Sequence, residues 1–327
     1  MKRIVSMLLA GTMAAGVVSV SAENNENAAF SENIPYEISD VSTADVELND
    51  EFLINAEGKD IDYLLSLEPE RFLCNWYRTC GLEVSAEDYK NTWEQTSGKS
   101  FRGHMFGHYM SALSQAYKAE KDEGLKIQLL DKIKECVSGI IKCQNAYAER
   151  FPDRAGFAAP FGEYRLNQLD NVDTGDEEWN TPEEGNPSIY VPWYNLHKVV
   201  AGLIDVYKNV RDDEIGENAL QCVCDFTDYV YKCRVSKYSE EQKKKMLSTE
   251  YGGMAEALYE LHNITGKGEY KICADGFIEN DLFEKLAAGK DVLSGLHANT
   301  TIPKLIGVLK KYTVLTQNED YYNLLTD

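Results

Sequence analysis

The chain has 327 residues, 43% of them apolar and 27% charged, a composition that supports a large folded core and excludes low-complexity or collagen-like structure. Its 33 basic and 54 acidic residues leave a net charge of −21. A surface of that sign repels phosphate backbones and anionic lipid, which argues against a nucleic-acid or membrane-surface partner.

The first element in chain order is a targeting segment. Lys2 and Arg3 precede an apolar run from Ile4 to Val20, and Val20-Ser21-Ala22 offers a small-residue cleavage site. Residues 1–22 read as a secretory signal peptide, which predicts a secreted or periplasmic protein with no membrane partner after cleavage. Its removal would leave 31 basic and 54 acidic residues, a net charge of −23. Residues 23–50 are rich in Asn, Glu and Ser and read as a flexible acidic, polar linker. A folded domain is expected over 51–327, opening with one helical stretch at 60–80.

Helical periodicity then recurs. Four segments, His104–Tyr117, Tyr194–Tyr207, Glu250–Leu261 and His297–Tyr312, are each amphipathic. Tyr117, Tyr207, Tyr259 and Tyr312 lie near their ends. Polar turns follow, and second helices are predicted to begin near Leu125, Ile215, Tyr270 and Tyr321. In the first segment Met105, Tyr109, Ala112, Leu113 and Ala116 are predicted to share the buried face. Repeated helical hairpins make an all-α fold, either an open solenoid or a closed α/α toroid. A solenoid keeps a period of about 34–47 residues. Here His108 and His197 are 89 residues apart, and long insertions at one end of the hairpins favour the toroid.

The longest insertion, 149–193, holds five of the eight prolines together with Phe157, Phe161, Tyr164, Trp179, Tyr190 and Trp193. Such a loop is functional or packed on its own barrel, and its aromatic faces suit a wall of a glycan cleft. The eight cysteines, Cys74, Cys80, Cys136, Cys143, Cys222, Cys224, Cys233 and Cys273, include no Cys-x-x-Cys pair and are expected mostly as buried thiols.

Of the five histidines, His104 and His108 open one repeat helix, His197 the next and His297 the last, with Glu250-Tyr251 at the matching place in the remaining repeat. Parallel inner helices would bring these starts to one rim. His262 lies near a helix C-terminus and reads as structural. Three uses of the cluster stay open. The i, i+4 spacing of His104 and His108 suits a metal pair, although GHMFGH lacks the internal Glu of a zinc protease motif. Imidazoles and carboxylates over an aromatic floor suit sugar hydroxyls. Helix capping and core hydrogen bonding form the third.

The strings WEQTSGKSFRGHMFGHYMSALSQAY, VPWYNLHKVVAGLIDVY, LSTEYGGMAEALYELHNITG and LSGLHANTTIPKLIGVLKKY resemble the β-L-arabinofuranosidases of glycoside hydrolase families 127 and 146, in consistent order from about Phe52 to the chain end. The resemblance implies an (α/α)6 toroid, a pocket for a terminal L-arabinofuranose, an arabinose-containing plant glycan as partner, and exo-acting, retaining hydrolysis. It also implies a zinc-bound cysteine nucleophile, a glutamate acid/base and further Cys and Glu ligands to the zinc. In the family these follow the HANT segment by tens of residues. No position here matches them, so no catalytic residue, metal ligand or cofactor is assigned within the chain. The toroid is therefore expected to be incomplete at its C-terminus and the chain to be inactive alone. The resemblance carries over only pocket lining: His104 and His108 in GHMFGH, Tyr194, Asn195 and His197 in YNLHK with Trp193 before them, Glu250 in TEYGG, and His297 and Asn299 in HANT. A non-catalytic glycan-binding module and another toroid enzyme, such as a polysaccharide lyase, are the competing readings. The latter usually requires a basic cleft for acidic sugars, which the net charge does not encourage.

Overall fold

The computed structural model describes residues 41–98, 100–172, 174 and 189–316. The expected signal peptide, most of the expected linker, Trp179 and the helix expected near Tyr321 lie outside the described residues.

Twelve α-helices and no strand occur among the described residues. They are α1 (Glu51–Ser66), α2 (Pro69–Thr79), α3 (His104–Ala119), α4 (Glu123–Arg150), α5 (Tyr164–Asp170) and α6 (Pro192–Asn209), then α7 (Glu214–Cys233), α8 (Glu240–Leu247), α9 (Met254–Thr265), α10 (Gly268–Gly276), α11 (Asn280–Ala287) and α12 (Ala298–Thr316). The predicted repeat helices are α3, α6, α9 and α12, and their second helices are α4, α7 and α10. The stretch at 60–80 is not one helix. Pro69 cannot continue α1, so the chain breaks at Leu67–Glu68 and Pro69 starts α2 at its first turn. Residues 41–50 lie partly against α3, where the Lys121 ammonium donates to the Ala44 carbonyl.

Local chemistry separates the two layers. The outer helices α4 and α7 start on aspartate caps: Asp122 accepts from Leu125 N at 2.9 Å and Asp213 from Ile215 N at 2.9 Å. The inner helices α3, α6 and α9 start after Gly103, Val191 and Gly253, with no side-chain cap from those residues. Contacts at both ends show that the inner helices run parallel. Between α3 and α6, Gly107 meets Lys198 near the start, and Asn209 Nδ2 donates to Ser114 Oγ at 3.2 Å near the end. Between α6 and α9, Gly253 N donates to His197 Nδ1 at 3.2 Å and Lys208 pairs with Glu260 at 2.9 Å. Between α9 and α12, Lys304 stands 5.0 Å over the Tyr251 ring, and Lys310 pairs with Glu260.

A parallel inner layer backed by returning outer helices is the all-α arrangement of an α/α toroid. Its core joins Phe106, Met110 and Leu113 of α3 with Leu196, Val200 and Leu203 of α6, all at most 2% exposed. Each such side chain contributes about 1.5–3 kcal/mol of burial. The buried face of α3 differs from the prediction in one place: Met105 is 38% exposed, while Phe106 and Met110 point inward.

The described aromatics of the insertion at 149–193 pack mostly into the core rather than forming an open wall. Phe157 and Phe161 are fully buried and Tyr164 is 6% exposed. Beneath them lies a network linking α4, α5 and α7. Glu163 accepts from Tyr147, Arg154, Tyr229 and Arg234 at 2.6–3.0 Å. Arg234 also forks onto Asp170 at 3.1 and 3.2 Å, and Tyr238 donates to Asp170 at 2.7 Å. All eight cysteines are buried thiols.

Candidate functional site

The parallel register delivers three of the predicted histidines to one place. The His104 ring lies 4.8 Å from His108 and 5.2 Å from Tyr194, nearly parallel to the latter at 25°. Tyr194 lies 6.4 Å from His197, and Lys198 Nζ stands 5.1 Å over the Tyr194 ring. His104 and His197 are buried, Tyr194 and Lys198 are half-buried, and His108 is exposed. The charges of Glu256 and Glu250 act on Lys198.

The TEYGG string has a geometric reason. Gly252 has φ +61°, and a Cβ there would stand 2.6 Å from the Tyr194 ring and 2.8 Å from His197 Nδ1. A Cβ on Gly253 would stand 3.0 Å from the His197 ring. Two glycines let the backbone before α9 touch the imidazole. Because Gly253 N–H donates to Nδ1, neutral His197 carries its proton on Nε2. Val191, a β-branched residue at φ +45°, starts α6, the helix that carries Tyr194 and His197, under strain of about 1–3 kcal/mol.

The electrostatics keep the imidazoles neutral. Burial, then His108 and Lys198, pushes His104 down to about 4. Burial, then Lys198, His108 and His104, pushes His197 down to about 3. His108 is lowered by burial and Lys198. Burial lowers Lys198 itself, against the pull of Glu256 and Glu250. A neutral imidazole donates from one nitrogen and accepts at the other, as a hydroxyl does, whereas an imidazolium only donates. His104 Nδ1 and Glu250 Oε1 are buried and have no hydrogen-bond partner among the described residues.

These shifts predict acid sensitivity. The unfolded chain protonates His197 near 6.5, but the folded chain does so only near 3. Protons therefore favour the unfolded state between those values, and stability falls as pH drops through that window. At pH 5 the cost from His197 is about 2 kcal/mol relative to pH above 6.5. The loss of melting temperature between pH 7.5 and 5.0 should be smaller in His197→Asn, which keeps an acceptor for Gly253. An equal loss in both proteins would contradict the neutral buried imidazole.

Four predicted residues lie elsewhere. Trp193 is 1% exposed and set edge-on to Phe277 at 5.2 Å, so its face is closed to a ligand. Asn195 is fully buried and donates its amide to the Tyr190 carbonyl at 2.8 Å, which anchors the end of the insertion. His297 and Asn299 are exposed at the start of α12. Lys304 sits level with Tyr251, so His297, seven residues earlier, stands roughly 10 Å further along the axis than the other rings. The parallel register holds, but α12 starts too far out to seat His297 among them. His262 contacts Lys267 O at 2.9 Å near the C-terminal end of α9, away from this rim.

Three residues at the site escaped sequence reasoning. Lys198 directly follows His197. Trp93 and Glu94 open the first string that carries the resemblance, but on a segment without periodicity. Glu94, 2% exposed, supplies the cap that Gly103 lacks: its carboxylate accepts from Gly103 N and Met105 N at 2.7 Å and from Phe106 N at 3.1 Å. Burial pushes this carboxyl up to about 7, while the three amides and Arg102 pull it down. Asn75 Nδ2 holds the Glu94 carbonyl at 3.0 Å. Glu94→Gln turns one acceptor oxygen into an amide that faces backbone N–H groups. It is expected to lower stability by about 2–3 kcal/mol in chemical denaturation, and a change below about 0.5 kcal/mol would refute the capping role.

Zinc, which the resemblance implies, does not fit the residues described. Among them no three His, Cys, Asp or Glu side chains converge as a metal site, so the His104–His108 pair has no third ligand. Burial raises the thiols of Cys74, Cys136, Cys222, Cys224, Cys233 and Cys273, the reverse of a metal-held thiolate. No helix among the described residues is long and apolar enough to cross a membrane.

No curated protein matches the chain. The sequence model for the β-L-arabinofuranosidase GH127 catalytic domain, however, matches residues 45–327, nearly the whole of the domain built above. The all-α hairpin fold is thus that of a glycoside-hydrolase-like chain with a glycan as substrate class, and the protein belongs to the β-L-arabinofuranosidase (GH127) family.

Proposed function

We propose that the pocket of His104, His108, Tyr194, His197, Lys198 and Glu250 holds a terminal L-arabinofuranose of an arabinose-containing plant glycan, outside the cytoplasm. The observation that carries this reading is the convergence of His104, His108, Tyr194 and His197 from two separate hairpins, rings that can both donate and accept. His197 Nε2–H and Lys198 donate to sugar oxygens, Glu250 accepts, and the edge of the Tyr194 ring lines the site. The negative surface suits a neutral sugar.

All eight cysteines are buried, so none is open to a bound sugar as a thiolate nucleophile. The protein therefore binds without turning over. Titration calorimetry with methyl β-L-arabinofuranoside should show one site, weakened about tenfold or more by His104→Ala or His197→Ala. The same preparation should release no nitrophenol from p-nitrophenyl β-L-arabinofuranoside above the buffer rate. Absence of binding would end the pocket reading, and robust turnover lost in His197→Ala would end the non-catalytic one.

A further inference from the structure

We propose that Trp93 is the platform for the second sugar, the residue to which the pocket's arabinofuranose is linked. This rests on the pocket reading above and extends it outward. Of the four tryptophans, Trp76 and Trp193 are at most 1% exposed and Trp179 lies outside the described residues, while Trp93 is 52% exposed. An exposed aromatic side chain needs no special account when it is loose and solitary. Trp93 is neither. Its ring lies 5.0 Å from His104, edge-on at 73°, and 5.0 Å from Phe101, which in turn stacks on Tyr190 at 5.5 Å and 25°.

The backbone is held as firmly as the ring. Trp93 O accepts from Phe101 N at 2.8 Å, and the next residue is Glu94, whose carboxylate caps α3 through three amides. Tyr190, at the end of the aromatic row, is held by Asn195 through its carbonyl and by a bridge to Ser100 O at 3.0 Å. The indole is thus pre-positioned, which lowers the ordering cost of binding. It adjoins His104 and, through that ring, His108 and Tyr194, so a sugar seated on those rings would present its neighbour to the indole. The apolar C–H face of a furanose or pyranose fits a flat aromatic surface, and the polar edges of the sugar stay in water.

The test compares two ligands on the full chain by titration calorimetry: methyl β-L-arabinofuranoside, which fills only the pocket, and a β-L-arabinofuranosyl disaccharide. The wild type should bind the disaccharide about tenfold more tightly than the methyl glycoside. Trp93→Ala should shrink that margin to about twofold or less, whereas Trp93→Tyr should keep most of it. As a check that survives misfolding of the alanine variant, the disaccharide should quench wild-type tryptophan emission more than the methyl glycoside does. An equal affinity of the wild type for both ligands, or a full margin in folded Trp93→Ala, would overturn the platform while leaving the pocket intact. Failure of both ligands to bind would overturn the pocket and the platform together.

Discussion

Gly107→Ala is expected to destabilise the protein by at least about 3 kcal/mol, beyond the usual cost of an added methyl in a core. A Cβ on Gly107 would stand 2.1 Å from the Lys198 carbonyl carbon, 2.3 Å from its oxygen and 2.5 Å from Val199 N. All three are backbone atoms of α6, so no rotamer change relieves the overlap and the two helices must separate. The contact is reciprocal, because a Cβ on Gly202 would meet Gly107 O at 2.6 Å. The functional consequence follows from position. Gly107 lies between His104 and His108, and the residue it touches is Lys198, next to His197. Prising α3 from α6 would pull the rings apart before the core opens. Chemical denaturation should therefore show lower stability, and calorimetry should show lost affinity for methyl β-L-arabinofuranoside. A Gly107→Ala protein with wild-type stability and affinity would mean that the helices are not this close.

Arg234→Met should cost about 3–5 kcal/mol, the penalty for removing one member of a buried ion network. Arg234 is fully buried, and it is the cation shared by Glu163 and Asp170, both also without side-chain exposure. Its loss leaves Asp170 with the Tyr238 hydroxyl and Val172 N, and leaves Glu163 with Arg154 and two phenols. Neutralising one carboxylate at the same time should recover part of the loss, so Arg234→Met combined with Asp170→Asn should be more stable than the two single effects added together. The double-mutant cycle by urea unfolding reads this directly. Additive losses would show that the arginine and the carboxylates are not coupled. The network lies beneath the insertion, away from the histidine rim, so sugar affinity in folded Arg234→Met should stay near wild type.

The sequence displayed the helices more clearly than the site. Apolar residues at helical spacing placed α3, α6, α9 and α12 within a few residues of their observed bounds, because each buries one face. The break at Pro69 was also written in the residues, but the periodic run across 60–80 obscured it. The histidines His104, His108 and His197 converge because the inner helices run parallel, which the repeat order implies. His297 departs because its level depends on how far α12 extends before it meets α9, a tertiary distance that register alone does not carry. The tryptophans were exchanged. Trp193 sits in a proline-rich string that looked like a surface loop, yet Pro192 starts α6 and turns Trp193 into the core. Trp93 has no periodic neighbours to mark it, and only its contact with His104 reveals its place. Glu94 and the Glu163–Asp170–Arg234 network act across 9 to 71 residues of sequence, so no local pattern could announce them.

The central claim is that imidazoles from separate hairpins share one sugar-sized pocket. With only five histidines in the chain, their Cε1–H proton resonances can be assigned by single substitution and followed as methyl β-L-arabinofuranoside is added. The His104, His108 and His197 resonances should shift together along one saturation curve while His262, held to Lys267 O near the far end of α9, stays still. A titration that moves none of the three, or moves them with different affinities, would contradict that claim.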